Sequence, residues 1–348
     1  MSDASDTSVT EMRSGAELNK ATKAFAVDER ARTWRLWFST LAVLLLCWLG
    51  ALLLPQWWAR LAAAILTGLC TVRAFIFFHD YLHRAIWVDS RLGGAFMSAV
   101  GFLVLAPPSV WRETHNYHHK HNAKLVGSAI GSYPVVTAAM YRGMSEKQRK
   151  AYRLVRHPLT MLTGYLTLFA LGMCVAPFKR DPKQHWGGPV ALALHAAILA
   201  GLFAWGGWQA ALFGGVIPLA VACAAGSYLF YAQHNFPEIE LKGRRDWDYT
   251  HAALKSSSLF EMSALMHWFT GEIGYHHVHH LNHRIPFYRL RDAMEAIPEL
   301  QSPGRTSWRL ADVWACLKLD VWDADSGRMV SLRELPPPAA EAPSLKAA

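Results

Sequence analysis

Through most of this chain, uncharged apolar runs alternate with polar stretches. Residues 1–20 are dominated by Ser, Asp, Thr and Glu, too polar to bury a core, and predict a disordered tail. Residues 20–35 are basic and predict a short helix on a membrane surface. Residues 37–54 carry no charge and stop at Pro55, a run long enough for a membrane span. Residues 57–78 make a second span, with Arg60 near its start, where a long side chain can reach back to water, and Arg73 near its end. Only Pro55 and Gln56 separate the two, which predicts a tight hairpin. The run 96–110 is shorter and broken by Gly101, Pro107 and Pro108, and predicts a re-entrant or interfacial helix. Residues 120–157 are polar and strongly basic. Three more apolar runs follow at 159–178, 189–205 and 208–231, the last two joined by Gly206 and Gly207. Residues 307–319 predict an amphipathic helix, and the closing PPPAAEAPSLKAA a disordered tail.

Composition agrees with a membrane protein. Apolar residues make up 52% and charged residues 18%, with 15 tryptophans, too oily for an ordinary soluble domain. The chain divides into a polar and basic segment 1–33, a membrane domain 34–300 and a C-terminal segment 301–348. The net charge of +9 does not point to nucleic acid. The bases flank apolar runs, as they do on the cytoplasmic side of membrane proteins. Cysteines stand at 47, 70, 174, 223 and 316 with neither zinc nor redox spacing, which fits a reducing compartment. The polar start has no apolar run before Trp34 and does not read as a cleavable signal.

The candidate chemistry lies in histidines. His79 and His83 stand at i and i+4 in HDYLH. His115, His118 and His119 in HNYHH stand at i, i+3 and i+4, and His276, His279 and His280 repeat that spacing in GYHHVHHLNHRIP. On helices these offsets share a face. Protonated, the imidazoles would repel one another; as neutral ligands around metal, their density makes sense. Eight box histidines exceed what one four-coordinate ion uses and suit two metals. Imidazole accepts Zn, Cu, Fe and Ni alike, and iron is the choice because an open two-iron site can activate oxygen. His234, just past the last apolar run, joins the ligand candidates. Asp80, Asn116 and Asn122, next to box histidines, are candidates to bond the second ring nitrogens; Asp80 and Asn116 are the two carried forward. His121, His277 and His283 fall off the ligand face, and His157, His185, His195, His251 and His267 read as structural.

Ligands of one site must lie on one side of the membrane. Between the first and second boxes the chain therefore cannot cross, so the run 96–110 does not span. Between the second and third boxes the crossings must be even, and three apolar runs are present. The run 159–178 has Arg153 and Arg156 before it and Lys179, Arg180 and Lys183 after it, so it is the one expected to turn back. The expected fold is all-α and integral to the membrane: four transmembrane helices in two hairpins, interfacial helices and a cytoplasmic helical cap carrying the histidines.

With three ordered boxes and this layout, residues 34–300 resemble the membrane fatty acid desaturases. The pattern of that family is HX3H or HX4H, then HX2HH, then HX2HH or QX2HH; here it is met by HDYLH, HNYHH and HHVHH. The resemblance implies an enzyme with two Fe ions and O2 as co-substrate that inserts a cis double bond into an acyl chain drawn from the bilayer. It implies His79, His83, His115, His118, His119, His276, His279 and His280 as ligands, with His234 matching an extra family histidine. The HX3H box resembles the acyl-lipid Δ12 or ω branch, whereas the GYHHVHHLNHRIP context is also similar to sphingolipid desaturases. A hydroxylase or carotenoid ketolase on the same scaffold shares these ligands. A metal transporter would place its ligands near mid-membrane, and these stand at helix ends. No CxxC, GxGxxG or haem-domain signature accompanies the boxes, so electrons are expected from an external ferredoxin or cytochrome docking on the basic face. The Ala- and Arg-rich composition points to a bacterium, and so to an inner membrane with the boxes facing the cytoplasm.

Overall fold

The computed structural model describes residues 13, 15–125, 127 and 129–335. Most of the two expected tails, 1–12 with 14 and 336–348, lies outside the described residues. The rest of the polar N-terminus is folded against the body, contrary to the disorder expected up to residue 20. Helix α1 (Gly15–Thr22) buries Leu18, and Arg13 makes a bidentate pair with Glu299 at 2.7 and 2.6 Å. One apolar anchor and one fork-shaped ion pair hold it there.

Helices α2 (Arg30–Leu53) and α3 (Trp57–Leu82) form the first hairpin. Leu54 is extended because Pro55 follows it, and that ends α2. Arg60 pins the turn by donating from Nε to the Ala51 carbonyl at 2.9 Å. The C-terminal half of α3 is the axis of the molecule, with Phe77 and Phe78 fully buried. At Gly68 a Cβ would stand 2.7 Å from the Pro218 carbonyl oxygen, so a larger residue would push a neighbouring helix away.

Next come α4 (Arg91–Leu103) and α5 (Pro108–His121), bent 89° from one another. The bend falls at Pro107 and Pro108, where the ladder loses its N–H donors and cannot continue. Short helices α6 (Ala138–Gly143), α7 (Glu146–Arg156) and α8 (Pro158–Leu162) lead into a wide-turned π-helical stretch, Tyr165–Val175, and α9 (Ala176–Arg180). Both ends of this run are tied to the histidine end of the molecule. Arg156 donates to Asn235 Oδ1 at 2.7 Å, beside His234, and Arg180 lies 3.9 Å from Glu113 on α5.

Helix α10 (Gly187–Ala211) continues through a wide turn at Leu212–Val216 into α11 (Ile217–Ala232), 46 helical residues in sequence. Straight, they would measure about 69 Å. They are not straight. Gly206 and Gly207 have non-helical dihedrals, with Gly207 at φ 66° and ψ −166°. Gly215 sits against Leu199 and Leu202, which requires the chain to double back at the glycine pair. Three stretches, Arg30–Leu53, Trp57–Leu82 and Gly187–Ala232, are long and apolar enough to cross a membrane, and the third is folded on itself. At the two hairpin tips, Trp57, Trp58, Trp205 and Trp208 are exposed, the side chain that prefers a membrane–water boundary.

Small elements close the histidine end: α12 (Tyr249–Lys255), β1 (Leu259–Glu261), α13 (Ala264–Phe269), α14 (His276–Leu281), α15 (Leu290–Ala296), β2 (Arg305–Ser307), α16 (Leu310–Leu317), β3 (Val321–Asp323) and β4 (Arg328–Val330). Strand β1 pairs with β2 in parallel, Leu259 opposite Arg305, and β3 pairs with β4 antiparallel, Val321 opposite Val330. Helix α16 lies within the amphipathic segment expected at 307–319. The C-terminal elements are stitched to the helix ends, because Arg156 also donates to the Leu319 carbonyl at 2.7 Å and Asn235 to that of Cys316 at 2.7 Å.

Candidate metal centre

Four helix ends converge at this closed face. Helix α3 carries His79 in its last turn, and His83 is its cap. Helix α5 brings His115, His118 and His119 in its last two turns, and the short α14 brings His276, His279 and His280. Helix α11 ends just before His234. All nine imidazoles are buried, and they sort into two groups: His79, His83, His115, His119 and His279, and beside them His118, His234, His276 and His280. Each HX2HH box therefore splits. On α5 the i and i+4 histidines serve the first group and the i+3 residue the second; on α14 the division is reversed. The groups touch where the His119 and His280 rings stack at 4.3 Å.

Within each group ligating atoms converge. His79 and His115 Nε2 are 2.9 Å apart, His115 and His119 Nε2 3.1 Å, and His119 and His279 Nε2 3.0 Å. In the second group, His234 and His276 Nε2 stand 2.8 Å apart, His118 and His234 3.1 Å, and His276 and His280 3.1 Å. Two nitrogens bound to one ion at about 2.0–2.1 Å, at angles between square and tetrahedral, stand about 2.8–3.4 Å apart. A hydrogen-bond ladder does not explain the same set. Both ring nitrogens of His83, and Nδ1 of His119, His276 and His279, are buried without a hydrogen-bond partner. Buried polar atoms left so cost about 1–3 kcal/mol each, and coordination would remove that cost at the converging nitrogen of His83. Elsewhere a ring nitrogen carries one proton or one lone pair, yet His115 Nε2 faces both His79 Nε2 and His119 Nε2, a crowding that a shared ion resolves and hydrogen bonds do not. The donor set therefore fits metal.

Burial also fixes the protonation state. Desolvation, reinforced by neighbouring imidazoles, holds His115, His118, His119, His276, His279 and His280 well below the usual histidine range. Desolvation holds His234 at about 4, against a rise from its Ser256 bond. Neutral imidazole is the ligating form. Outer contacts orient several rings. Asp80 Oδ1 accepts from His79 Nδ1 at 3.0 Å, while its Oδ2 accepts the Phe287 N–H at 2.7 Å and ties the first box to the chain after the third. His234 Nδ1 faces the Ser256 carbonyl at 3.2 Å, and Trp111 stacks on His115 at 4.9 Å.

Asn116 does not take part. It is exposed, one residue past His115, a rotation of about 100° off the histidine face. Asn122 is buried but turns away from the rings, donating to Ser257 Oγ at 3.0 Å and to the Ala252 carbonyl at 3.3 Å. His277 pins α14 through Nε2 to the Leu300 carbonyl at 3.0 Å, and His283 lies 4.7 Å from the His83 ring. Residues the sequence did not single out include Trp111, legible only as i−4 to His115, and Ser256 and Tyr249, which carried no signal.

An apolar cavity of about 400 Å³ ends on this centre. His79, His115 and His276 are among its lining residues, so it touches both groups, and Phe75, Phe169, Leu219 and Phe230 supply apolar wall.

The family model for fatty acid desaturases matches residues 55–310, nearly three quarters of the sequence. The chain belongs to the fatty acid desaturase family. It is similar to a fatty acid desaturase of Bacillus subtilis, 28% identical over 279 residues covering 79% of this chain and 78% of that protein. It is also similar to an sn-1 oleoyl-lipid 12-desaturase of Anabaena variabilis, 24% identical over 293 residues, 79% of this chain and 81% of that one. An sn-1 acyl-lipid omega-3 desaturase (ferredoxin) of a Nostoc species is 25% identical over 246 residues, 64% and 63% of the two chains. As a desaturase of fatty acids, the chain is an oxidoreductase, and its buried histidine clusters, able to hold metal, fit that family.

Proposed function

We propose that this chain is a two-iron, O2-dependent desaturase that sets a cis double bond into the acyl chains of membrane lipids. The observation that carries this reading is the cavity: a mostly apolar space of about 400 Å³ is lined by histidines of both groups at once. Names of relatives acting on oleoyl-lipid and acyl-lipid support a lipid-bound substrate. The overall change is balanced as –CH2–CH2– plus O2, two electrons and two protons giving –CH=CH– and two waters.

Two iron ions, one in each histidine group, would supply the reduction of O2 and the removal of hydrogen. The chain's own residues do the rest. His79, His83, His115, His119 and His279 would hold one ion, and His118, His234, His276 and His280 the other. Burial keeps the lone pairs of His115, His118, His119, His234, His276, His279 and His280 free of protons. Asp80 holds the His79 ring against the loop at Phe287. Trp111 and Phe230 line the slot beside His115 and His118, keep water out and fix the methylenes near the reacting atoms.

The same reading sets four transmembrane helices in two hairpins, α2–α3 and the two arms meeting at Gly206 and Gly207. The returning run 158–180, with both ends at the histidine face, supports an even count of crossings. The tryptophan-bearing tips lie on the outer side and the histidine cap in the cytoplasm of a bacterial inner membrane, because the bases gather at the histidine end. Electrons come from an external carrier, and one relative's name includes ferredoxin.

Lipid profiling by mass spectrometry tests the reading. Wild type and a His118→Ala, His279→Ala double variant are expressed with a ferredoxin system in a host whose lipids offer saturated and monounsaturated chains. A new double bond in the wild type alone is expected. A hydroxyl or keto product would move the enzyme to another oxygenase chemistry.

A further inference from the structure

We propose that the loop 242–249 is the docking face for the electron carrier, and that Trp247 and Tyr249 connect it to the four-histidine group; this rests on the desaturase reading above. The loop is positive. Lys124 and Lys242 are bridge partners on neighbouring backbone segments. Arg244 and Arg245 are exposed in a turn closed by the Asp246 N–H on the Gly243 carbonyl at 3.1 Å. Two acids, Asp246 and Asp248, oppose these four bases, and Asp248 is committed to capping α12 through the His251 N–H at 2.8 Å.

Behind the bases stands an aromatic pair with one edge at the surface. The Trp247 indole donates to the Asn122 carbonyl at the end of α5, 2.7 Å, and the Lys124 ammonium lies 3.9 Å from the ring centre. The Trp247 and Tyr249 rings are 6.5 Å apart. The Tyr249 hydroxyl donates to the His280 carbonyl at 2.5 Å, and His280 Nε2 is 3.2 Å from His118 Nε2 within the second group. A lipid headgroup would need only the charges. The aromatic pair leading from the charges to a metal-binding histidine is what selects an electron carrier. The partner is a small acidic protein carrying one electron at a time, held by charge complementarity. Each double bond consumes two electrons, so two reduced carriers are each oxidised by one electron, and the two protons come from water. Trp247 and Tyr249 keep their protons and are unchanged.

The test uses the full chain in nanodiscs, with an acidic plant-type [2Fe–2S] ferredoxin as the probe. Affinity is measured by calorimetry at low and high salt, and stopped-flow absorbance follows reduction of the ferric centre by reduced ferredoxin or by dithionite. An Arg244→Glu, Arg245→Glu variant is expected to weaken ferredoxin binding at least tenfold and to lose most of its salt dependence, with reduction by dithionite kept. Tyr249→Phe is expected to leave the affinity unchanged and to slow reduction by ferredoxin several-fold. Unchanged affinity in the charge-reversal variant overturns the proposal, and so does such a variant that only sheds co-purifying anionic lipid. Equal ferredoxin-driven rates for Tyr249→Phe and wild type overturn the relay. No readout here involves a fatty acid, and reduction of the wild type by dithionite reports the ferric centre without the carrier. Failure of the desaturase reading, seen in the lipid product and the dithionite trace, is thus distinguished from failure of the docking face, seen in the ferredoxin affinity.

Discussion

Asp80 shows what one side chain does at this centre. Its two oxygens face different parts of the chain, Oδ1 the His79 ring and Oδ2 the Phe287 N–H. Asp80→Asn keeps the size but leaves one oxygen for two donors. Outer partners of metal-bound histidine are worth about 10–100-fold in metal affinity or activity, so purified Asp80→Asn is expected to retain less iron at equal chelator concentration, read by elemental analysis. Asn116→Ala, on the exposed face of the same site, is expected to retain as much as wild type. A second residue acts through what it lacks. Gly226 lines the cavity, and a Cβ built there meets nothing within 4 Å. Gly226→Leu is therefore expected to fill the slot without straining the fold. The product profile should shift to shorter chains or conversion fall at least tenfold, while the thermal midpoint holds. At Gly68 even a methyl meets Val221 and the Pro218 carbonyl, and Gly68→Ala should instead lower the midpoint.

At the scale of elements, the hairpin at Gly206 and Gly207 is the most exposed to a single change. Gly207 occupies a region of backbone space that is essentially glycine-only, so Gly207→Ala is expected to cost about 1–3 kcal/mol, read as a fall in the unfolding midpoint in detergent. The apolar runs, the two hairpins and the broken 96–110 segment were legible because hydrophobicity, Pro and Gly act locally. The eight box candidates were legible because i, i+3 and i+4 spacing survives translation into helices, and His234 because it stands just past the last apolar run; the structure brings all nine together. The division of each HX2HH box between two groups was not legible, since one helix face can aim at two centres once a second helix stands beside it. Asn116 was misjudged for a similar reason: adjacency in sequence is a rotation of about 100° on a helix. Leu18 and Arg13 were misjudged because their partners lie far away in sequence, Glu299 among them. The stitching of the C-terminal elements through Arg156 and Asn235 depends on equally distant pairs.

For the whole molecule, the buried imidazoles couple stability to pH and to metal. His234 and His277 sit at about 4 in the folded chain, held there by desolvation, and the box histidines on α5 and α14 lie well below their ordinary 6.5. Above pH 6.5, folded and unfolded chains both carry neutral rings, and the contribution to stability is fully present. As pH falls from 6.5 toward about 4, the unfolded chain binds protons that the folded chain refuses, so stability is lost at about 1.4 kcal/mol per pH unit for each such group. Metal binds only the neutral rings of the folded chain, so it raises stability at pH 7 and proton competition weakens it in acid. The expected outcome in detergent is a thermal midpoint flat above pH 7 that falls steeply below 6.5. Chelation should lower the midpoint at pH 7 and bring the two curves together near pH 4, where protonation has removed the metal. A metal-free midpoint that stayed level from pH 7 to pH 5 would mean that the imidazoles take up protons in place, with water reaching a centre drawn here as dry.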